Sequence, residues 1–504
     1  MKKTKYIVFL TILFAVISKL SGFLRDIFLA FFYGANHISD AYMIAYTLPL
    51  VIVGLVGEAV NTSFIPTYIK IKDNNSIIKA QEFTVKLINI LFLFTTIIIF
   101  IFSIFNETII NIFFPGIDAD TKEISINFLK ISIFSLYPMF LVYIVMSMAQ
   151  IKHKFLKITI LSLPMNIIFL LSIYFSKTVG IYILPYGLLL GTTSQLFLFK
   201  YEICEILKSY KLIFDFKDTN IKNIFILSVP VLMGVSLNQL NGIIDMNMAS
   251  NVKVGGISII NYANRINTLL HGVISLTIAN IAYPFFAKYI NTKDYQSTNK
   301  LFENIMCLLN VILLPIVMLI VVYSNEIVQI LYGHGSLGTN DKILTSKVLQ
   351  LYALSIIPIA YREILNRIFF SMSNTSAPFY ASAIGVIFNI TLNIILSNLM
   401  GLPGLALASS ISFVISSLIL MKLINKKAKE IKLLNIFIDF IKIFIITLFL
   451  FIVVVTLKYI IFLPIILEMF INILILLILY ILILKYIKIL NFHEIKVIFD
   501  KKGS

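Results

Sequence analysis

Apolar runs of about twenty residues recur along the whole sequence. An α-helix rises 1.5 Å per residue and the hydrocarbon core of a bilayer is about 30 Å thick, so roughly twenty apolar residues cross it. Fourteen segments meet that requirement: 7–33, 41–69, 83–105, 124–150, 158–176, 181–203, 221–250, 257–287, 301–323, 345–371, 378–399, 401–421, 438–461 and 463–487. No soluble core could bury them all, because large exposed apolar patches associate. Composition agrees: 59% of the 504 residues are hydrophobic and 13% charged, against roughly 25% charged in soluble domains. The expectation is an all-α integral membrane protein with fourteen transmembrane helices.

The net charge of +17 would suggest nucleic acid in a soluble chain. Here the lysines sit in short connections between apolar runs, as the positive-inside rule requires. One set of connections holds Lys70, Lys72 and Lys79; Lys152, His153, Lys154 and Lys157; Lys208, Lys211 and Lys217; Lys288 and Lys293; and Lys426, Lys427, Lys429 and Lys432. The tail adds Lys488, Lys496, Lys501 and Lys502, and the alternate connections hold few cations. Both termini are therefore expected inside, and no nucleic-acid partner is expected. The apolar run after Met1 continues to Tyr33 without a small-residue cleavage site, so it reads as a retained first helix rather than a signal peptide. Cys204 and Cys307 have no metal-ligand spacing.

An internal repeat is visible. Phe64-Ile-Pro-Thr-Tyr-Ile-Lys70 aligns with Ala282-Tyr-Pro-Phe-Phe-Ala-Lys288 at an offset of 218. Asn106-Glu107 and Gly116 align with Asn325-Glu326 and Gly335 at 219. The expected organisation is two six-helix lobes, 1–210 and 211–425, followed by two further helices and a tail over 426–504. Six is even, so the lobes share one orientation, the parallel-repeat plan of several transporters.

Charges inside membrane helices are costly, about 2.5–3.5 kcal/mol each at the centre on insertion scales. Those present mark candidate sites: Lys19, Arg25 and Asp26 in the first helix, Asp40 and Glu58 in the second, and Arg265 in the eighth. Facing one another, Lys19, Arg25 and Arg265 would hold an anion, and the planar fork of Arg suits phosphate. Ser18, Gly22 and Arg25 share one face of the first helix. Asn389 and Asn393, four apart on one face, with Asp245 and Ser409, offer oxygens to a hard cation such as Na+; interhelical hydrogen bonding is the alternative. The sequence has no Gly-rich phosphate loop with Lys, no G-x-S-x-G and no His/Cys cluster. No enzyme activity or resident cofactor is expected.

Ser21-Gly-Phe-Leu-Arg-Asp26, Asp40-Ala-Tyr42, Leu48-Pro49, Gly57-Glu58, Phe64-Ile-Pro66, Pro230-Val-Leu-Met-Gly-Val-Ser236, Tyr262-Ala-Asn-Arg265 and Leu331-Tyr-Gly-His-Gly335 resemble the MurJ/MviN family of lipid II flippases, within the MOP exporter superfamily. The resemblance implies alternating-access export of undecaprenyl-pyrophosphate-linked peptidoglycan precursor across the bacterial cytoplasmic membrane by a monomer. It implies cavity roles for Arg25 and Arg265, matching acidic positions at Asp26 and Asp40, and a sodium site at Asp245, Asn389, Asn393 and Ser409. It also implies a lipid-tail groove at the last two helices. The family commonly has Arg where this chain has Lys19, and often Arg within the stretch that here reads Leu50-Val-Ile-Val-Gly54. Those departures leave open another polyprenyl-linked oligosaccharide, for teichoic acid or capsule, and more distantly a MATE-like drug/cation antiporter.

Overall fold

A computed structural model describes residues 2–427, 433–460 and 464–487. Lys429, Lys432 and the tail lysines Lys488, Lys496, Lys501 and Lys502 lie outside the described residues. Among those described, the regular structure is entirely helical. That follows from the solvent: in lipid every backbone N–H and C=O must be satisfied within its own segment, and a helix does this.

Packing divides the chain into two units. The first comprises Met1–Tyr262 with His334–Gly338. It contains α1 (Lys2–Tyr33), α2 (His37–Asn74), α3 (Ile77–Ile104), α4 (Asn106–Phe113), α5 (Ala119–Ser132) and α6 (Leu136–Ile151). These are followed by α7 (Phe155–Thr159), α8 (Ser162–Val179), α9 (Ile183–Ser194), α10 (Lys200–Lys208), α11 (Thr219–Val252) and the start of α12 (Gly256–Leu270). The second unit comprises Ala263–Gly333 and Thr339–Ser504. It holds the rest of α12, α13 (Leu276–Asn291), α14 (Tyr295–Tyr332), α15 (Thr339–Ala353) and α16 (Ile356–Ser371). After them come α17 (Ser376–Met400), α18 (Leu402–Lys427), α19 (Leu433–Ile460) and α20 (Ile465–Ile487). The packing boundary falls at 262/263, whereas the sequence repeat divides at 210/211: α11 packs on α2 in the first unit.

Among the described residues, eleven helical stretches are long and apolar enough to cross a membrane. Four are composite: Ala119–Ile151, Phe155–Val179, Gly256–Asn291 and Thr339–Ser371. Their outward faces remain apolar, with Ile97, Phe100 and Ile104 on α3 and Phe437, Ile445 and Phe449 on α19 all exposed. Such surfaces are tolerable only where lipid replaces water.

The ends of the first unit's helices are fastened by polar contacts. Asn36 caps α2, its side-chain oxygen accepting from the N–H groups of Ile38 and Ser39 at 3.0 Å. Ser39 Oγ returns the bond by accepting from Asn36 N–H at 2.9 Å, which completes a capping box. Gly34 ends α1 with φ +63°, and Ser336 N–H donates to Phe31 O at 2.9 Å. A Cβ on Gly34 would lie 2.5 Å from Ser336 O, so only glycine permits this approach.

Candidate functional site

In the first unit the face predicted for Ser18, Gly22 and Arg25 is the buried face of α1. Ser18 Oγ donates to Thr159 O at 2.7 Å, and Asn166 Nδ2 donates to Ser21 Oγ at 2.9 Å. Arg25, 3% exposed, donates from Nε to Asp26 Oδ1 at 2.8 Å, with a guanidinium nitrogen 2.7 Å from the same oxygen. Its guanidinium lies 4.5 Å from the Tyr46 ring centroid and 5.6 Å from that of Phe169. A planar cation between aromatic faces and beside a carboxylate is neutralised locally, which is how it is accommodated inside a membrane helix. Lys19 is exposed. Six residues separate it from Arg25, about 240° around the helix, so the two do not share a face of α1.

Asp40 does something different from the cargo contact expected of it. It is 2% exposed. Its Oδ2 accepts from Gly255 N–H at 2.8 Å, and its Oδ1 from Ser258 N–H at 2.8 Å and Ser258 Oγ at 2.6 Å. Tyr262 Oη donates to Gly34 O at 2.8 Å nearby. Asp40 thus caps α12, its charge set against the N–H groups that open a helix. The reason is geometric: both carboxylate oxygens face the N-terminus of α12.

Glu58, a candidate cargo residue on α2, lines a cavity. It is exposed to a cleft of about 460 Å³ inside the first unit, which Leu50, Gly54, Asn61, Tyr143 and Gln239 also line. The stretch Leu50-Val-Ile-Val-Gly54 contributes apolar atoms there.

In the second unit Arg265 is half-buried on α12. Six residues beyond it, at His271–Ser275, the helix widens into a π-turn before α13, a feature common at functional sites. Asn389 and Asn393 are fully buried on α17. Asn393 Nδ2 donates to Asn389 Oδ1 at 3.0 Å, and Asn389 Nδ2 donates to Ser409 Oγ on α18 at 3.0 Å. Three of the four expected sodium ligands therefore form an interhelical hydrogen-bonded chain. Asp245, also buried, is on α11 in the first unit.

With this geometry in place, the comparison with known proteins is decisive. The sequence model of the family described as Lipid II flippase MurJ matches residues 29–480. The chain belongs to that family. A probable lipid II flippase MurJ of Aquifex aeolicus (strain VF5) is 29% identical over 371 residues, 72% of this chain and 71% of its own. Another, from Buchnera aphidicola subsp. Schizaphis graminum (strain Sg), is 28% identical over 414 residues, 79% and 78% of the two chains. A solved lipid II flippase MurJ in an inward closed conformation superposes with a TM-score of 0.82 at 26% identity, over 95% of this chain and 99% of that one. An inward-facing MATE-family multidrug transporter of the MOP superfamily shares the fold, with a TM-score of 0.69 at 10% identity.

MurJ membership and the eleven spans make this a multi-pass membrane protein of a transporter family. Asp40, Glu58, Asp245, Arg265, Asn389, Asn393 and Ser409 fall within the matched residues, while Lys19, Arg25 and Asp26 precede them. Sequence reasoning missed one constellation. His37 Nδ1 lies 3.0 Å from Asp118 Oδ2 and 3.0 Å from Thr121 Oγ1, with Asp120 close by. Burial disfavours the charged form of Asp118, but Thr121 and His37 outweigh it and hold its carboxyl below the usual range. Residues so far apart in sequence carry no spacing signal.

Proposed function

We propose that this protein is a lipid II flippase, carrying the undecaprenyl-pyrophosphate-linked peptidoglycan precursor from the inner to the outer leaflet of a bacterial cytoplasmic membrane by alternating access. The observation that carries this is the family match over 29–480 together with the 0.82 superposition on a MurJ structure. Fourteen helices, in two like-oriented six-helix lobes plus α19 and α20, cross the membrane with both termini inside, and the protein acts as a monomer. The repeat draws support from one contact. Asp40 bonds Ser258, 218 positions away, which is the repeat's own offset; counterparts that touch are what two-fold relation produces.

The physical task is to move an anionic, sugar-bearing head through a medium that excludes charge. Arg25 and Arg265 would hold the pyrophosphate, with Lys19 adding charge nearby. For Arg25 this means exchanging the Asp26 carboxylate for phosphate oxygens, so Asp26 keeps the cation neutral when cargo is absent. Sodium is a candidate coupling ion. Asn389 Oδ1 and Ser409 Oγ would ligate it once the Asn393 amide has turned away. Leu50 and Gly54 lining the cleft, where relatives of this family often place arginine, favour a second reading: export of another polyprenyl-linked oligosaccharide. The test is complementation of a strain depleted of its own lipid II flippase. The wild-type chain should restore growth, and Arg25→Ala and Arg265→Ala at equal membrane abundance should not. Rescue of a capsule- or teichoic-acid-export mutant instead would favour the second reading.

A further inference from the structure

The cleft inside the first unit is chemically unlike a phosphate site. Among the described residues no Lys, Arg or His lines it, and its one carboxylic acid is Glu58. Among the described residues, the Glu58 carboxylate has no ion pair or hydrogen bond. Carboxylates within membrane segments are ordinarily paired or functional.

Glycines set how closely the walls around Glu58 approach the backbone of α2. A Cβ at Gly57 would fall 2.7 Å from Cδ2 and 2.8 Å from Cγ of Tyr143. The phenol ring therefore lies flat on the backbone one residue before Glu58. A Cβ at Gly54 would fall 2.8 Å from Gln239 Nε2, so the second glycine admits that amide. Asn61, one turn beyond Gly57, accepts from Ser147 Oγ at 2.5 Å. Met139, Met146 and Met165 complete the walls, and thioethers adapt readily to varied shapes. A carboxylate beside an aromatic face with neutral amides around it is the chemistry of ammonium recognition.

We propose that this cleft binds the side-chain ammonium of the peptide stem of the cargo, with Glu58 as its counter-ion and the Tyr143 ring as its platform. The proposal rests on the flippase reading above. Lipid II carries anionic phosphates, neutral sugars and a peptide, and only an amine on the peptide stem is cationic. Division of labour follows: arginines hold the pyrophosphate, and the cleft of the first unit reads the peptide.

The test uses the full-length purified protein and two ligands. One is lipid II with a free stem amine; the other is the same lipid II with that amine acetylated. Native mass spectrometry or thermophoresis gives the affinities. Wild type should bind the acetylated form about tenfold more weakly or worse, the scale of one charge-assisted contact. Glu58→Gln should bind both forms alike, and Glu58→Asp should restore part of the preference. Equal binding of both ligands by wild type overturns the ammonium site and leaves the flippase reading standing. Binding of neither overturns both. The wild-type comparison needs no variant, so a Glu58→Gln chain that fails to fold does not obscure the answer.

Discussion

Replacing Asp40 by Asn separates a structural from a cargo-binding role. The carboxylate accepts three bonds, at 2.8, 2.8 and 2.6 Å, from Gly255 and Ser258, and is 2% exposed. Asparagine keeps one acceptor oxygen and presents an NH2 in place of the other. Whichever way the amide turns, one donor of α12 then faces a donor. A buried N–H left without an acceptor costs about 1–3 kcal/mol, and the surviving bonds lose the charge that roughly doubled their strength. The expected loss is about 2–4 kcal/mol. A unit of roughly 250 residues loses about 2 °C of melting temperature per kcal/mol. Asp40→Asn should therefore melt about 4–8 °C lower in detergent, followed by size-exclusion chromatography after heating. In a double-mutant cycle with Ser258→Ala the two losses should couple by about 1 kcal/mol, because they share a bond. A variant that melts with wild type and still fails complementation would refute the capping argument and return Asp40 to the cargo site.

Gly34→Ala should destabilise more than Gly180→Ala. Both glycines have positive φ, +63° and +118°, but a Cβ at Gly34 meets Ser336 O at 2.5 Å while one at Gly180 meets nothing within 4 Å. Gly180→Ala should show only backbone strain, about 1–3 kcal/mol, and parallel thermal melts compare the two. The connection between α10 and α11 should loosen in acid. Lys86 Nζ bonds Asp215 at 2.9 Å and Asp218 at 3.0 Å, and its hydrogen bond holds the Asp215 carboxyl below its ordinary value of 3.8. A depressed carboxyl contributes stability above its unfolded pKa and loses it as pH falls through the lower folded value. Amide-exchange protection over 209–218 should accordingly hold at neutral pH and fall below about pH 4, and Lys86→Gln should abolish that dependence. If sodium is held by Asn389 and Ser409, replacing choline chloride with sodium chloride should raise the melting temperature of wild type and not of Asn389→Ala; equal shifts would remove sodium from that position.

The bilayer explains why so much of the fold was legible. It fixes the length of an apolar segment, so Ile77–Ile104 and Tyr295–Tyr332 stand out without any periodicity to read. Composite spans were less clear: Ala119–Ile151 passes through a 3-10 turn at Ile133–Ser135, and apolar runs look alike whether straight or kinked. Arg25 stands out as a candidate because any membrane arginine does. Its pairing with the adjacent Asp26 could have been suspected, but the Tyr46 and Phe169 faces come from other helices. The hydrogen-bond partners of Asp40 are hidden for the same reason. Its partners lie 215 and 218 positions away, and a buried acid gives one sequence signal whether it binds cargo or caps a helix.

Taken one by one, the acids of the first unit's opening helices account for their own cost differently. Asp26 neutralises Arg25, so that pair enters the membrane with no net charge. Asp40 is compensated by the N–H groups of a helix terminus, a fixed dipole that needs no cation. Glu58 has neither arrangement among the described residues; it faces a cleft, and the glycines beside it let the Tyr143 ring and the Gln239 amide come close to the backbone. A carboxylate held this way is stabilised most when a cation arrives. If the arginines bind the phosphates, one cargo molecule with an anionic end and a cationic end would satisfy both charge sets at once. A precursor lacking the amine would satisfy only one. The distribution of compensated and uncompensated charge thus points to selection of the head group at two places, with the acid in the cleft discriminating among cargoes that the arginines would accept alike.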